Sequence, residues 1–344
     1  MKVGLLTGGG DCPGLNAVIR AVVQRIVSEG GSCVGLLEGW RGLVQGLSRV
    51  LDPAETDGII ARGGTILGSS RTNPFKFAER DIPALRANFQ ALGLDALVAI
   101  GGDDTLSVAY RLHHAYQMPL VGIPKTIDND LQVTDFTFGF DTAINIVTEA
   151  VDRLRTTAES HRRIMVVETM GRHAGWIACF AGIATAADYI LVPEVPIDLP
   201  HLVEVLKRRR AAGKNYGIVI VSEGARFPDR DIYTLDDEPD PFGHARLGGI
   251  GNAIAGVIEA QTGFETRSIV LGHLQRGGPP SAYDRVLATR LGLAASHLVI
   301  QRRFGTIVAL SGNQITEAPL NERVAATKTL DLTYYDEAAA FFRR

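Results

Sequence analysis

The sequence predicts an α/β fold with mostly parallel sheets, and three observations carry that expectation. Short β-branched or aliphatic runs recur between longer amphipathic stretches, the alternation produced when helices cross over between parallel strands. Several of these runs end in a glycine or polar loop just before a helix, as in LLTGGGDCPGLN, VAIGGDDT and VGIPKTIDND. In open α/β sheets such loops gather at the carboxyl ends of strands, where ligands bind. The third observation is size: 344 residues, 46% hydrophobic and 21% charged, suffice for two domains, each with its own core.

In chain order the expected strands are Val3 to Thr7, Cys33 to Leu37, Ala96 to Ile100, Leu120 to Ile123, Ile164 to Glu168, Tyr189 to Val192, Gly217 to Val221, Ser268 to Leu271 and Thr306 to Leu310. The expected helices are Leu15 to Ser28, Thr105 to Tyr116, Ala143 to Ala158, Leu199 to Arg210, Gly251 to Gln261 and Tyr283 to Arg302. The acidic stretch Pro228 to Gly243, with three prolines, reads as an exposed loop, and the last twenty residues read as a helical tail. No low-complexity segment or repeat appears.

A net charge of −3 excludes nucleic-acid or membrane-surface binding driven by bulk charge, so anion binding must come from local clusters. The three cysteines, Cys12, Cys33 and Cys179, are too widely spaced for a zinc site or a disulfide framework and read as free thiols in a reducing compartment. MKVGLLTGGG reads as a first strand rather than a signal peptide, and no run approaches the roughly 18 apolar residues of a membrane span. A soluble, cytoplasmic protein is expected.

Four loops in the first half carry chemistry. TGGGDCPG, residues 7 to 14, combines free N–H groups, a helix start and glycine flexibility, which favours a phosphate; taken alone it also reads as a tight turn. Pro13 stands where G-x-G-x-x-G requires its last glycine, and the Walker pattern is not met either. In RGGTILGSSRTNP, residues 62 to 74, Arg71 offers a planar donor fork to phosphate, though a lone loop arginine also reads as a solvated surface group.

IGGDDT, residues 100 to 105, places Asp103 at a strand end, where a carboxylate suits magnesium, which keeps several waters beside one or two carboxylates and phosphate oxygens. In PKTIDND, residues 124 to 130, Asp128 is suited to orient a hydroxyl and accept its proton, while Asn129 and Asp130 also read as Asx turns. The second half offers cations beside glycines and strand ends: Arg163, Arg172, Arg267, His273 and Arg276, with Glu223 to accept hydrogen bonds from hydroxyls. Together they describe a second anion site, fit for a sugar phosphate.

TGGGDCPGLNAVIR, GGTILGSSR, IGGDDT, PKTIDND, VVETMGRHAGW and ETRSIVLGHLQRGGPPSAYDR, in this order, resemble the phosphofructokinase family from Lys2 to about Gly312. The resemblance implies two similar three-layer α/β/α domains with mostly parallel sheets and the active site in the cleft between them. It implies that residues 1–139 and 275–321 bind the phosphoryl donor with magnesium and that 140–274 and 322–344 hold fructose 6-phosphate. Gly9, Gly10, Arg71, Gly102, Asp104 and Lys125 are then donor contacts, and Asp103 is the magnesium ligand. Thr126, Ile127 and Asp128 form the acceptor loop, with Asp128 as base toward the sugar 1-hydroxyl.

The resemblance further implies that Met170, Gly171 and Arg172 lie against the sugar and the moving phosphoryl group. Lys125, Thr126 and Arg172 join Asp128 in the catalytic set. Glu223, His273, Leu274, Gln275 and Arg276 complete the sugar-phosphate contacts, while Arg163 and Arg267 serve a neighbouring subunit. A homodimer or homotetramer is therefore expected.

The family's ATP-dependent members have glycine where this chain has Asp104, and again where it has Lys125. An aspartate there fills the space of a nucleotide's α-phosphate with a repelling carboxylate, and the lysine reaches into the vacated volume to hold pyrophosphate. The pair resembles the pyrophosphate-dependent branch, whose reaction is readily reversible. Regulation by nucleotides is not expected: Arg20 and Arg25 are present, but LDPAETDGII, residues 51 to 60, has no arginine or lysine. Three competitors remain: an ATP-dependent phosphofructokinase; an NAD or lipid kinase, sharing GGD-x-T but lacking MGRHAGW and GHLQRGG; and a non-catalytic sugar-phosphate sensor, which would be expected to have lost Asp103 or Asp128.

Overall fold

A computed structural model describes residues 1–228, 234–236 and 246–342. The chain runs β1 (Lys2–Thr7), α1 (Leu15–Ser28), β2 (Ser32–Leu36), α2 (Trp40–Gln45), β3 (Ser48–Leu51), α3 (Pro53–Asp57), α4 (Ala78–Ala91), β4 (Ala96–Gly101), α5 (Asp103–Tyr116), β5 (Leu120–Pro124) and the long α6 (Phe140–His161). It continues through β6 (Ile164–Thr169), α7 (Trp176–Ala184), β7 (Tyr189–Leu191), α8 (Leu199–Ala211), β8 (Gly217–Ser222), β9 (Thr234–Asp236), β10 (Arg246–Leu247), α9 (Ile250–Thr262) and β11 (Thr266–Val270). It ends with α10 (Ala282–Ile300), β12 (Thr306–Ser311), β13 (Gln314–Pro319) and α11 (Leu332–Ala339).

Two compact units emerge, Met1–Thr142 with Arg276–Ala326 and Ala143–Gln275 with Thr327–Arg344. Their limits fall within five residues of 139/140, 274/275 and 321/322; at the first, α6 keeps its first three residues in the first unit. The first unit's sheet has the order β13-β12-β5-β4-β1-β2-β3. Its strands pair in parallel except at the edges, where β13 and β3 return antiparallel. The second unit's main sheet, β11-β6-β8-β7, is wholly parallel.

In the first unit β1 lies between β4 and β2, so the winding direction reverses between β1 and β4, the position at which α/β sheets open a ligand crevice. Side-chain alternation along the strands builds a core on each face. Leu6, Leu97 and Ala99 join Trp40, Leu43, Ile82, Leu85 and Leu106 in one buried cluster. On the other face α1 packs along α10. Gly292 makes this close approach possible, since a Cβ there would fall 2.8 Å from that of Ala21.

Nine expected strands and six expected helices are present, with ends shifted by at most three residues. The polar edge strands β3 and β13 and the helices α2, α3, α4 and α7 are additions. In α4, Pro83 sits inside the helix and has no N–H for the Glu79 carbonyl, which makes the stretch read as interrupted. Within Pro228 to Gly243, expected as a loop, Thr234–Asp236 pairs with Arg246–Leu247; 229–233 and 237–243 lie outside the described residues. All three cysteines are buried free thiols. Among the described residues no helix is long and apolar enough to cross a membrane.

The first turn of α6 is held by a buried carboxylate from α10. Asp284 accepts from the Thr142 N–H at 2.8 Å and from its hydroxyl at 2.5 Å, while Ser281 donates to Asp141 at 2.6 Å. Burial pushes the Asp284 carboxyl up to about 6, against the hydrogen bonds from Thr142 and Gly139 that favour its charged form. Between about pH 4 and pH 6 the folded protein therefore holds a proton that the unfolded chain has released, so stability falls as pH rises through that window. In urea denaturation, Asp284→Asn, whose amide oxygen still accepts from Thr142, should flatten this fall. Asp284→Ala should cost about 1–3 kcal/mol by orphaning the Thr142 donors.

Candidate active site

Three loops of the first unit leave the carboxyl ends of β1, β4 and β5, which are neighbours in the sheet. They are the glycine loop Gly8 to Gly14, the Gly101-Gly102-Asp103-Asp104 turn and the segment Lys125 to Asp130. Backbone bonds set their spacing: Gly8 N–H donates to Ile100 at 3.0 Å and Lys125 N–H to Gly101 at 2.9 Å. The Lys125 ammonium then reaches back to the Gly10 carbonyl at 2.5 Å. This lysine is only 4% exposed. Burial pulls its pKa below the ordinary value, helped by Arg276 and opposed by Cys12, Asp103 and Asp128.

The loop of residues 62 to 72 closes on the same glycines. Ser69 Oγ donates to the Gly9 carbonyl, Thr7 Oγ1 donates to Gly68 at 2.9 Å, and the Asn16 side chain binds the carbonyls of Arg62 and Gly63 and the Ile66 N–H. Arg71 lies on this loop and is exposed. Asp103 and Asp104, both half-buried, open α5, whose N-cap is Gly102.

The segment Lys125 to Asp130 is shaped by its own hydroxyls and amides and by Thr137. Thr126 Oγ1 accepts from the Asp128 N–H at 3.1 Å, and Thr137 Oγ1 donates to the Thr126 carbonyl at 2.7 Å. Asn129 takes a left-handed backbone, φ 53°, and its side-chain oxygen accepts from the Thr137 N–H at 3.1 Å. Asn129 is thus a turn residue. Asp130 is pushed up to about 7, first by burial and then by Asp128 and Asp103, so the three carboxylates share one electrostatic environment. Ile127 is 3% exposed and can offer a ligand little beyond its backbone.

In the second unit Met170-Gly171-Arg172, Glu223-Gly224 and Leu271 to Gln275 follow the adjacent strands β6, β8 and β11. Glu223 N–H donates to Thr169 at 2.8 Å, Ser222 Oγ to Gly171 at 2.5 Å and Gly224 N–H to Gly171 at 3.3 Å. A side chain at Gly224 would collide with the Arg172 carbonyl. The buried Glu168 carboxylate, near the end of β6, accepts from the Gly249 and Gly251 N–H groups at 3.2 and 2.8 Å and so occupies the start of α9. Arg172 and Glu223 are half-buried, while His273 and Leu274 are exposed.

Of the residues the resemblance names, Gln275 is enclosed rather than open to a ligand, and Arg276, Arg163 and Arg267 are placed as follows. Gln275 is fully buried with both ends of its amide hydrogen-bonded within the protein. Arg276 belongs to the first unit, and its guanidinium lies so close to Gly10 that a Cβ there would collide with it. Arg163 precedes β6 and Arg267 is near the start of β11, at the end of the sheet opposite Met170. Both pair with Glu265, at 2.7 and 2.5 Å. Arg20 is held by Asp57 at 3.0 Å, inside the stretch that lacks basic residues.

The sequence reading missed Thr105, Ser69, Asn16 and Glu168. Thr105 was legible as the residue after the two aspartates, but its packing was not. A Cβ on Gly8 would fall 2.5 Å from its hydroxyl, and one on Gly101 would collide with its side chain.

Glycine-lined strand ends, clustered carboxylates and a buried ammonium define an α/β protein built for phosphoryl groups. The chain belongs to the phosphofructokinase family, whose model, described as Phosphofructokinase, matches residues 2–299. It is 54% identical to the pyrophosphate–fructose 6-phosphate 1-phosphotransferase of Streptomyces coelicolor, covering 99% of this chain and 100% of that one. It is 48% identical to ATP-dependent 6-phosphofructokinase 3 of the same organism, over 98% and 99% of the two chains. The solved phosphofructokinase of Saccharomyces cerevisiae superimposes with a TM-score of 0.84 at 33% identity, covering 94% of this chain and 45% of that longer one.

The Gly8 contact predicts a coupled pair. Gly8→Ala should cost about 1–3 kcal/mol in urea denaturation through overpacking against Thr105. Adding Thr105→Ala, which removes the hydroxyl and methyl, should recover about half of that loss.

Proposed function

We propose that this protein is a diphosphate–fructose-6-phosphate 1-phosphotransferase, moving a phosphoryl group reversibly from pyrophosphate to the 1-hydroxyl of D-fructose 6-phosphate. The observation that carries the donor reading is the Lys125 ammonium seated on the Gly10 carbonyl, with Asp104 on the first turn of α5. A carboxylate there opposes a third phosphate by charge and volume, and the ammonium attracts a compact dianionic phosphate. The relative named pyrophosphate–fructose 6-phosphate 1-phosphotransferase, 54% identical end to end, supports it. The ATP-dependent reading is the second choice, kept by the relative of that name at 48%.

Magnesium fits the donor set. Burial is the first cause that lifts Asp130 and repulsion from Asp128 and Asp103 the second; a divalent cation beside Asp103 would relieve the repulsion, and the oxygens are hard donors. No three His, Cys, Asp or Glu converge among the described residues, so Asp103 would hold the ion with phosphate oxygens and water rather than in a protein cage. When bound, magnesium neutralises charge on the phosphoryl oxygens.

The chain's own residues do the rest. Asp128, its N–H tied to Thr126, orients the sugar hydroxyl and takes its proton. Gly9, Gly10 and Gly102 offer backbone to the donor, and Arg71, Lys125 and Arg172 offset charge on the moving group. Met170, Gly171, Glu223 and His273 receive the sugar phosphate.

Arg163 and Arg267 complete the sugar-phosphate site of a neighbouring copy, in a homodimer or homotetramer. Arg163 and Met170 flank the six residues of β6, so seven steps of ~3.3 Å put roughly 23 Å between them in one chain, too far to share a ligand.

Two experiments test this. At matched magnesium the protein should turn over with pyrophosphate far faster than with ATP, and Asp104→Gly with Lys125→Gly should shift preference toward ATP; a wild type that prefers ATP overturns the donor reading. For the shared site, Asp128→Ala should lose several orders of magnitude in kcat and Arg267→Ala should raise the KM for fructose 6-phosphate about tenfold. Co-assembling the two variants should restore activity at low sugar phosphate, because one hybrid site regains both residues. Activity no greater than the sum of the separate variants would remove Arg267 from the shared site.

A further inference from the structure

Gln275 carries an assignment different from a ligand contact. Its side chain is 0% exposed; Oε1 accepts from the Met170 N–H at 3.2 Å and Nε2 donates to the Gly272 carbonyl at 3.1 Å. Met170 begins the loop that carries Gly171 and Arg172, and Gly272, at φ 46°, turns the chain into His273. The β6 and β8 loops are already joined through Gly171, Ser222 and Gly224. Between β6 and β11 the last backbone link is Leu271 N–H to Glu168 at 3.1 Å. Beyond it the amide of Gln275 spans the two loops.

We propose that Gln275 is a positioning residue, a buried strut that fixes the His273 turn against the Met170–Arg172 loop. The acceptor groups then meet the sugar phosphate without first being ordered. The argument is one of preorganisation. A buried N–H left without its acceptor carries a desolvation penalty, and loops that must be ordered on binding subtract that cost from affinity. Polar burial alone would also be satisfied by two separate local bonds. One amide reaching both loops makes their positions interdependent. The strut rests on geometry alone; its effect on fructose 6-phosphate rests on the proposed function.

Two variants separate the possibilities: Gln275→Met, of similar length without polar atoms, and Gln275→Glu, which retains an acceptor for Met170. In the substrate-free protein, amide hydrogen exchange at Met170 should quicken about tenfold or more in Gln275→Met and stay near wild type in Gln275→Glu. In steady-state kinetics, Gln275→Met should raise the KM for fructose 6-phosphate about tenfold, with the KM for pyrophosphate within about twofold and kcat within about threefold of wild type. Gln275→Glu should fall between the two.

Unchanged Met170 exchange, or an unchanged sugar-phosphate KM, in Gln275→Met overturns the strut. So does a joint collapse of kcat, both KM values and the thermal midpoint in both variants, which marks a general folding role. Calorimetry of fructose 6-phosphate on the wild type keeps the functional reading separate. No binding there overturns the acceptor assignment even where exchange at Met170 responds as expected.

Discussion

The first unit is organised around a charge taken out of water. The Lys125 ammonium is almost fully enclosed, and an isolated buried cation costs several kcal/mol. The Gly10 carbonyl at 2.5 Å and the nearby carboxylates of Asp103 and Asp128 offset part of that cost, and burial still holds the lysine below its ordinary pKa. Because Lys125 also bonds through its backbone to Gly101, one residue links the ends of β1, β4 and β5. Displace it and three loops lose their common reference.

Around that ammonium the glycines act chiefly by what they leave out. Gly8 and Gly101 make room for Thr105, and Gly10 makes room for the Arg276 guanidinium. The neighbouring side chains thereby close-pack against main chain, with Gly8 and Gly101 buried and Gly9, Gly10 and Gly102 half-buried. The loops of the second unit are likewise tied by backbone bonds, to Gly171 and Thr169, with side-chain cross-links from Ser222 and Gln275 added.

The parts of this arrangement that follow from local pattern were legible in the sequence. β1, β4, β5, β6 and β8 announce themselves as aliphatic runs ending in glycine or polar turns, and α1 as an amphipathic stretch. Edge strands β3 and β13 lack that signal, being half polar, and α4 conceals itself behind Pro83. At the candidate site, residue types and spacing pointed to Asp103 and Asp128, and the family resemblance to Lys125. They could not reveal that Gln275 faces inward or that Glu168 reaches α9. Those facts depend on which strands become neighbours, and β6 meets β11 across a hundred residues of chain.

The Glu168 carboxylate has a wider meaning. Helices α1 and α5, which follow the glycine loops of the first unit, begin at glycines with no side-chain cap, so their positive ends face the loops. The start of α9 is spoken for by the protein's own acid. On the proposed reading, the inorganic donor is met by main chain and helix starts together with the Lys125 ammonium and Arg71, beside the Asp103 and Asp104 carboxylates on the first turn of α5. On the same reading the sugar phosphate is met mainly by side chains, those of Glu223 and His273 with Arg163 and Arg267 of a neighbouring copy. On that reading, exchanging single side chains would alter the acceptor half, while the donor half would change where Asp104 and Lys125 stand among the glycines.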